Sequence, residues 1–143
     1  MPSIQILSDL HANYGSTLSK IKPTAEVLVL AGDVGTLKEL PAALADASAR
    51  WTQVVFVAGN HEYYDSGDVD EVNHSIAALA ERHGNVHFLN NGVVTIDHQR
   101  FVGATLWTAP RDKFPPGCLK RIKNMTLKRW KQLNAEAKQF LVD

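Results

Sequence analysis

The sequence predicts an α/β domain with a mostly parallel sheet covered by helices. Three observations predict it. Apolar runs at residues 4–7, 26–30 and 54–58 read as strands, and each stops at a polar cluster. Helical periodicity separates the later strands, and that order places neighbouring strands parallel. A length of 143 residues with 45% hydrophobic and 21% charged residues suits one soluble globular domain, assigned here to residues 1–143.

The elements follow in order. Ile4-Gln5-Ile6-Leu7 is a short strand running into Ser8-Asp9-Leu10-His11. A loop and a brief helical turn at residues 17–21 lead to Glu26-Val27-Leu28-Val29-Leu30, which ends at Ala31-Gly32-Asp33. A helix starting at Leu37 or Pro41 reaches Arg50; Thr36 with Glu39 suggests a capping box and Pro41 suits a first turn. Val54-Val55-Phe56-Val57-Ala58 is continuous enough to be buried on both faces, and Gly59 marks its exit. A clearer helix begins near Asp68, where Asp68 and Glu71 serve the free N–H groups, and Gly84 is placed as its C′ residue. Then come short strands at 86–89 and 93–96, a hairpin turn at Asp97-His98-Gln99-Arg100, and a strand at 101–106. A loop from Trp107 to Gly117 precedes a last helix capped by Thr126, with Leu127, Trp130, Leu133, Ala137, Phe140 and Leu141 on one side.

Composition narrows the function classes. No apolar run approaches the ~20 residues that span a bilayer, and the N-terminus lacks the basic and apolar regions of a signal peptide, so the expectation is a cytoplasmic protein without a membrane partner. Cys118 stands alone, which excludes an intramolecular disulfide; after Pro115-Pro116-Gly117 it reads as a plain loop thiol. The zero net charge hides an asymmetry. Residues 1–110 carry six Lys/Arg against twelve Asp/Glu, and residues 111–143 carry nine against three. The basic segment reads as a solvated helix face or as a rim attracting phosphate-bearing substrate or nucleic acid.

The strand ends carry the chemistry. In a parallel sheet, Asp9-Leu10-His11, Gly32-Asp33 and Gly59-Asn60-His61 reach the same edge, where ligands of open α/β sheets bind. Asp9 and His11 offer a hard oxygen and an imidazole, Asp33 a short carboxylate beside a Gly, Asn60 a neutral oxygen. Such mixed donors suit Mn, Fe, Zn or Co better than Ca. Each also has a plainer reading as a turn or cap residue. Tyr63-Tyr64 either lines a pocket or packs the loop. A dinucleotide or P-loop fold is disfavoured by the absence of G-x-G-x-x-G and G-x-x-x-x-G-K-[ST].

Ser8-Asp9-Leu10-His11, Leu30-Ala31-Gly32-Asp33 and Gly59-Asn60-His61-Glu62 together resemble the first three motifs of the calcineurin-like metallophosphoesterases. The likeness spans residues 4–108 and includes Phe101-Val102-Gly103-Ala104-Thr105-Leu106-Trp107-Thr108. It implies a metallophosphoesterase-like αββα sandwich and hydrolysis of a phosphate ester by a water activated between two divalent transition metals. It further implies that Asp9 and His11 hold the first metal, Asp33 bridges both, Asn60 holds the second, and His61 is the catalytic histidine. The family's later histidine and GHxH motifs do not occur; His74, His83, His87 and His98 read as surface, turn or strand residues. The expectation is therefore a sandwich incomplete at its C-terminal end, binding one metal or binding weakly. The alternative is a non-catalytic module that a second copy or a complementing chain completes through uncovered sheet edges and the apolar side of the last helix.

Overall fold

The computed structural model describes residues 1–15, 17–108 and 117–143, with the backbone alone at Cys118. β1 (Ile4–Leu7), β2 (Val27–Ala31), β3 (Gln53–Val57) and β4 (Val86–Phe88) form one sheet in that order, every pair parallel. α1 (Leu40–Arg50) and α2 (Val69–Glu81) are the crossovers. β5 (Gly92–Ile96) and β6 (Gln99–Gly103) make a separate antiparallel hairpin, and α3 (Leu127–Val142) ends the chain.

Strand alternation divides the core. Leu28, Leu30, Val54 and Phe56 point to one face and meet Leu40, Leu44 and Ala47 of α1 and Val72, Ile76 and Ala80 of α2. Val27, Val29, Val55 and Val57 point the other way and meet Leu89, Val94, Ile96 and Phe101 around the hairpin. Helices, parallel sheet and hairpin thus stack as three layers. Gly103 permits the last contact, because a Cβ there would lie 2.6 Å from the Leu89 Cβ and 2.7 Å from a Val57 methyl. Asp97 and His98 make the hairpin turn with φ of 45° and 66°, the doubly positive geometry of a type I′ turn. The hairpin covers β2 and β3 but not the outer strand, so Ile4 is 40% and Ile6 68% exposed.

The entries of α2 and α3 follow the expected chemistry; α1 does not, since its N-cap is Glu39 without a side-chain cap and the Thr36–Glu39 pair forms no capping box. Asp68 accepts from the N–H groups of Asp70 and Glu71, and Glu71 returns a bond to the Asp68 N–H. The Glu39 carboxylate binds the Thr36 N–H and hydroxyl in a turn just ahead of α1, which starts at Leu40 with Pro41 in its first turn. Gly84 is not the C′ residue: it has no positive φ, and the chain leaves α2 through Arg82 in right-handed geometry. Asn85 fixes the exit instead, its amide donating to the Ser48 and Trp51 carbonyls.

Three further expectations change. β6 stops at Gly103 instead of continuing to 106. Cys118 lies in a 3-10 helix, Gly117–Arg121, and not in a loop, while residues 109–116 of the expected loop lie outside the described residues, as does the Cys118 thiol. The apolar side of α3 is covered: Trp130, Leu133 and Ala137 are buried, and Asn134 donates to the Trp107 carbonyl, with only Leu141 and Val142 open at the tail. Three of the basic residues find acidic partners within the molecule. Arg121 pairs with Asp65, Lys123 with Glu71 at 3.5 Å and Arg129 with Asp70 at 2.7 Å, so the basic segment lies on the acidic start of α2.

Two measurements check this packing. Ile76→Ala removes a fully buried side chain between α2 and the sheet and is expected to lower stability by about 2–5 kcal/mol in urea unfolding followed by tryptophan fluorescence. His87, on β4, bonds the Gln53 side chain at 2.7 Å, and burial holds its imidazole below the ordinary histidine range. The unfolded chain therefore binds this proton more readily, so its contribution is retained above the unfolded value of about 6.5 and lost as pH falls through the lower folded value. An NMR titration should give His87 a midpoint below the ordinary histidine value of about 6.5.

Candidate functional site

Because β1, β2 and β3 run parallel, the residues after their carboxyl ends share one edge. Beyond the ladder the first two loops continue to pair. The Asp9 N–H donates to the Gly32 carbonyl at 3.1 Å, His11 to Asp33 at 2.9 Å and Ala12 to Val34 at 2.8 Å. This pairing forces unusual backbone. Asp9, His11 and Asp33 all have positive φ, at 54°, 47° and 54°. For side chains with a Cβ such conformations cost on the order of 1–3 kcal/mol each and persist only where surroundings impose them.

Glycines let the loops close. Gly32 has φ of 89°, and a Cβ there would come within 3.0 Å of the Gly59 nitrogen. A Cβ on Gly59 would lie 2.2 Å from Asp33 Oδ1. The Asp33 carboxylate thus occupies the space a side chain at 59 would need. Its Oδ1 accepts the His61 N–H at 3.0 Å.

The sequence-predicted residues converge here. His11 Nδ1 and His61 Nδ1 lie 3.3 Å apart, and one potential ligand atom from each of His11, Asp33 and His61 falls within 4.8 Å of the others. Asp9 Oδ1 sits 3.7 Å from His11 Nε2 on the exposed side. Asn60 donates its side-chain amide to the Tyr64 hydroxyl, a bond that does not use its amide oxygen. Burial holds the His61 imidazole below its usual pKa, with the Asp33 carboxylate opposing, so the neutral ring that a metal requires is favoured. A carboxylate, two imidazoles and an amide oxygen form a donor set that fits a divalent transition metal. His74, His83, His87 and His98 lie on α2, after it, on β4 and in the hairpin turn, and contribute nothing to this edge.

A cleft of about 450 Å³ opens beside Asp9, Asp33 and Asn60, with Ala104, Leu106 and Trp107 forming its far wall. Thr105 anchors that wall by donating to the Ala58 carbonyl at 2.8 Å. Tyr63 and Tyr64 are 1% and 3% exposed, so they pack the loop and do not line the cleft. Tyr63 sits beneath Trp107, with its hydroxyl bonded to Asn73 at 2.8 Å, and burial pushes its phenol up to about 12.

Sequence reasoning missed two features. The Arg121 guanidinium lies 4.7 Å over the Tyr64 ring, whose other neighbour is the His61 ring at 4.7 Å. Glu62, noted only as a motif letter, is wholly buried. Burial raises its pKa against several backbone N–H bonds that lower it. A charged residue inserted between a catalytic-type histidine and two tyrosines was the available signal.

Comparisons with known proteins bear on the family and the fold. A family profile described as calcineurin-like phosphoesterase matches residues 2–140. An uncharacterized protein of Acanthamoeba polyphaga mimivirus is 27% identical over 126 residues, covering 76% of this chain and 45% of its own length. The crystal structure of a phosphopantetheinyl hydrolase from Mycobacterium tuberculosis superposes with a TM-score of 0.54 at 19% identity, covering 73% of this chain and 42% of that one. The second likeness is one of fold. The chain spans less than half the length of both relatives.

Gly59→Ala tests the loop closure. The added methyl must displace Asp33, and urea unfolding should show a loss of about 1–3 kcal/mol.

Proposed function

Because this chain belongs to the calcineurin-like phosphoesterase family, we propose that it serves metal-dependent hydrolysis of a phosphate ester. The observation that carries the reading is the convergence of Asp9, His11, Asp33, Asn60 and His61 on one sheet edge, with ligand atoms of three of them within 4.8 Å. In this reading Asp9 and His11 hold one divalent cation, Asp33 bridges to a second, and Asn60 contributes to that second one. Mn, Fe, Zn or Co would suit the donors. When bound, such cations neutralise charge on phosphoryl oxygens and acidify a water.

The chain's own residues supply the rest. Asp33 Oδ1 accepts the His61 N–H, so that bond leaves the second carboxylate oxygen unused. His61, beside His11 and backed by Tyr64, is the candidate proton donor to the leaving oxygen. The cleft wall at Ala104, Leu106 and Trp107 gives the leaving group an apolar surface. The same 4.8 Å grouping supports a second role for His61, as a ligand.

A non-catalytic module completed by another chain is the second reading, favoured by the exposed Ile4 and Ile6 on the outer strand. A nucleic-acid partner has weaker support, since Arg121, Lys123 and Arg129 are engaged with acidic residues of the same chain. No helix among the described residues is long and apolar enough to cross a membrane.

The test is Mn²⁺-dependent hydrolysis of an aryl phosphate, abolished by a chelator. Asp33→Asn should reduce the rate by about 100-fold or more, equivalent to roughly 3 kcal/mol of transition-state stabilisation. His61→Ala should lower kcat with little change in Mn²⁺ affinity if the residue is the proton donor, and should weaken both if it is a ligand. Calorimetry detecting no Mn²⁺ binding, together with no hydrolysis, would sink the proposal and leave the module reading.

A further inference from the structure

Glu62 is the one charged side chain in the fully buried class among the described residues, at 0% exposure. It lies immediately after the candidate ligands, yet it does not line the cleft beside them or join the histidine–aspartate group. Its partners explain its place. Oε2 accepts the N–H of Gly59 at 2.7 Å and of Asp33 at 3.1 Å. Oε1 accepts the N–H of Val34 at 2.7 Å and of Gly35 at 3.3 Å. Three donors belong to the loop after β2, and the fourth to the loop after β3.

These N–H groups lie beyond the ends of their strands, where the ladder no longer supplies acceptors. Left unpaired in a buried place they would be costly. Converging backbone N–H groups form an anion-binding concavity, and here the chain fills it with its own carboxylate. The connection continues outward. Glu62 fixes the Asp33 backbone, the Asp33 carboxylate accepts the His61 N–H, and His61 adjoins Glu62 in the chain, which closes a ring of bonds around the site.

We infer that Glu62 is a positioning residue: its carboxylate clamps the loops after β2 and β3 together and thereby sets where Asp33, Asn60 and His61 stand relative to one another. It touches neither substrate nor metal and acts through backbone. The clamp itself follows from the bonds above; that it positions a metal site rests on the phosphoesterase reading. Only a carboxylate with the reach of glutamate serves both loops. Glutamine offers one acceptor oxygen and turns an NH₂ group toward N–H donors, whereas aspartate is one methylene too short to reach both loops. Partners that orient ligands are typically worth about 10–100-fold in metal affinity.

The experiment combines amide hydrogen exchange by NMR with Mn²⁺ titration on the full chain. In the unmodified protein the amides of Asp33, Val34, Gly35 and Gly59 should be protected despite lying in loops. In Glu62→Gln all four should exchange at least about tenfold faster while Leu28, Leu30 and Phe56 keep their protection, and the Mn²⁺ dissociation constant should rise about tenfold or more. Val72→Ala, in the core of α2, separates this from general destabilisation: it should lower the melting temperature yet keep Mn²⁺ affinity within about twofold. Glu62→Asp, which keeps the charge, should give intermediate effects and stands in if the glutamine variant does not fold. Rapid exchange of the four amides in the unmodified chain overturns the clamp, as does wild-type Mn²⁺ affinity in a folded Glu62→Gln chain. If the unmodified chain binds no Mn²⁺ while Glu62→Gln still releases both loops, the phosphoesterase reading fails and the clamp stands.

Discussion

Every parallel sheet meets the same difficulty at its carboxyl edge: the chain leaves the ladder with N–H and C=O groups that still require partners. In this protein the three loops at that edge satisfy one another. The first pairs with the second through backbone bonds from Asp9, His11 and Ala12, and the second joins the third through the Glu62 carboxylate. The candidate site depends on that closure. With both loops fixed, Asp33 and His61 meet, Asn60 is turned toward the cleft, and the left-handed backbone at Asp9, His11 and Asp33 is held in place. The helices and the hairpin keep the strands in register beneath, and the loops complete the arrangement above.

The fold was largely legible because its signals are local. Apolar runs and the Asp68–Glu71 pair depend on residues within a few positions, and a parallel order follows from intervening helices. The candidate ligands were legible for a related reason, since each directly follows a strand. What escaped is non-local. The Glu62 partners lie up to 29 residues away, and nothing in the motif says that its carboxylate faces inward to backbone. Gly84 has the composition of a helix stop, yet Asn85 ends the helix through carbonyls on the far side of α1. The apolar side of α3 was expected to be bare because its cover, Trp107 and the segment before Thr126, is itself irregular and carries no periodic signal.

The charge pattern illustrates the same limit. The basic stretch at residues 111–143 left a solvated face or an anionic partner open, but Arg121, Lys123 and Arg129 meet Asp65, Glu71 and Asp70 around the start of α2. Exposed pairs of this kind contribute little to stability singly. Their effect is orientational: they keep α3 and the preceding 3-10 helix against the loop that carries Tyr63 and Tyr64. Arg121 also contacts the Tyr64 ring, which in turn adjoins the His61 ring.

The hairpin turn at Asp97-His98 has a consequence of another kind. Both residues occupy left-handed backbone, as do Asp9, His11 and Asp33, but the turn is at the end of the hairpin remote from Gly103 and is not part of the histidine–aspartate group. Local tension of the same type therefore recurs away from the strand ends, with different freedom to change. At the strand ends, glycine would remove the side chains of Asp9, His11 or Asp33, on which the proposed function rests. At the hairpin an Asn-Gly pair satisfies the same geometry without that conflict. The turn is thus a natural point for engineering a sturdier scaffold, because the gain in rigidity there is mechanically separate from the strain that shapes the site.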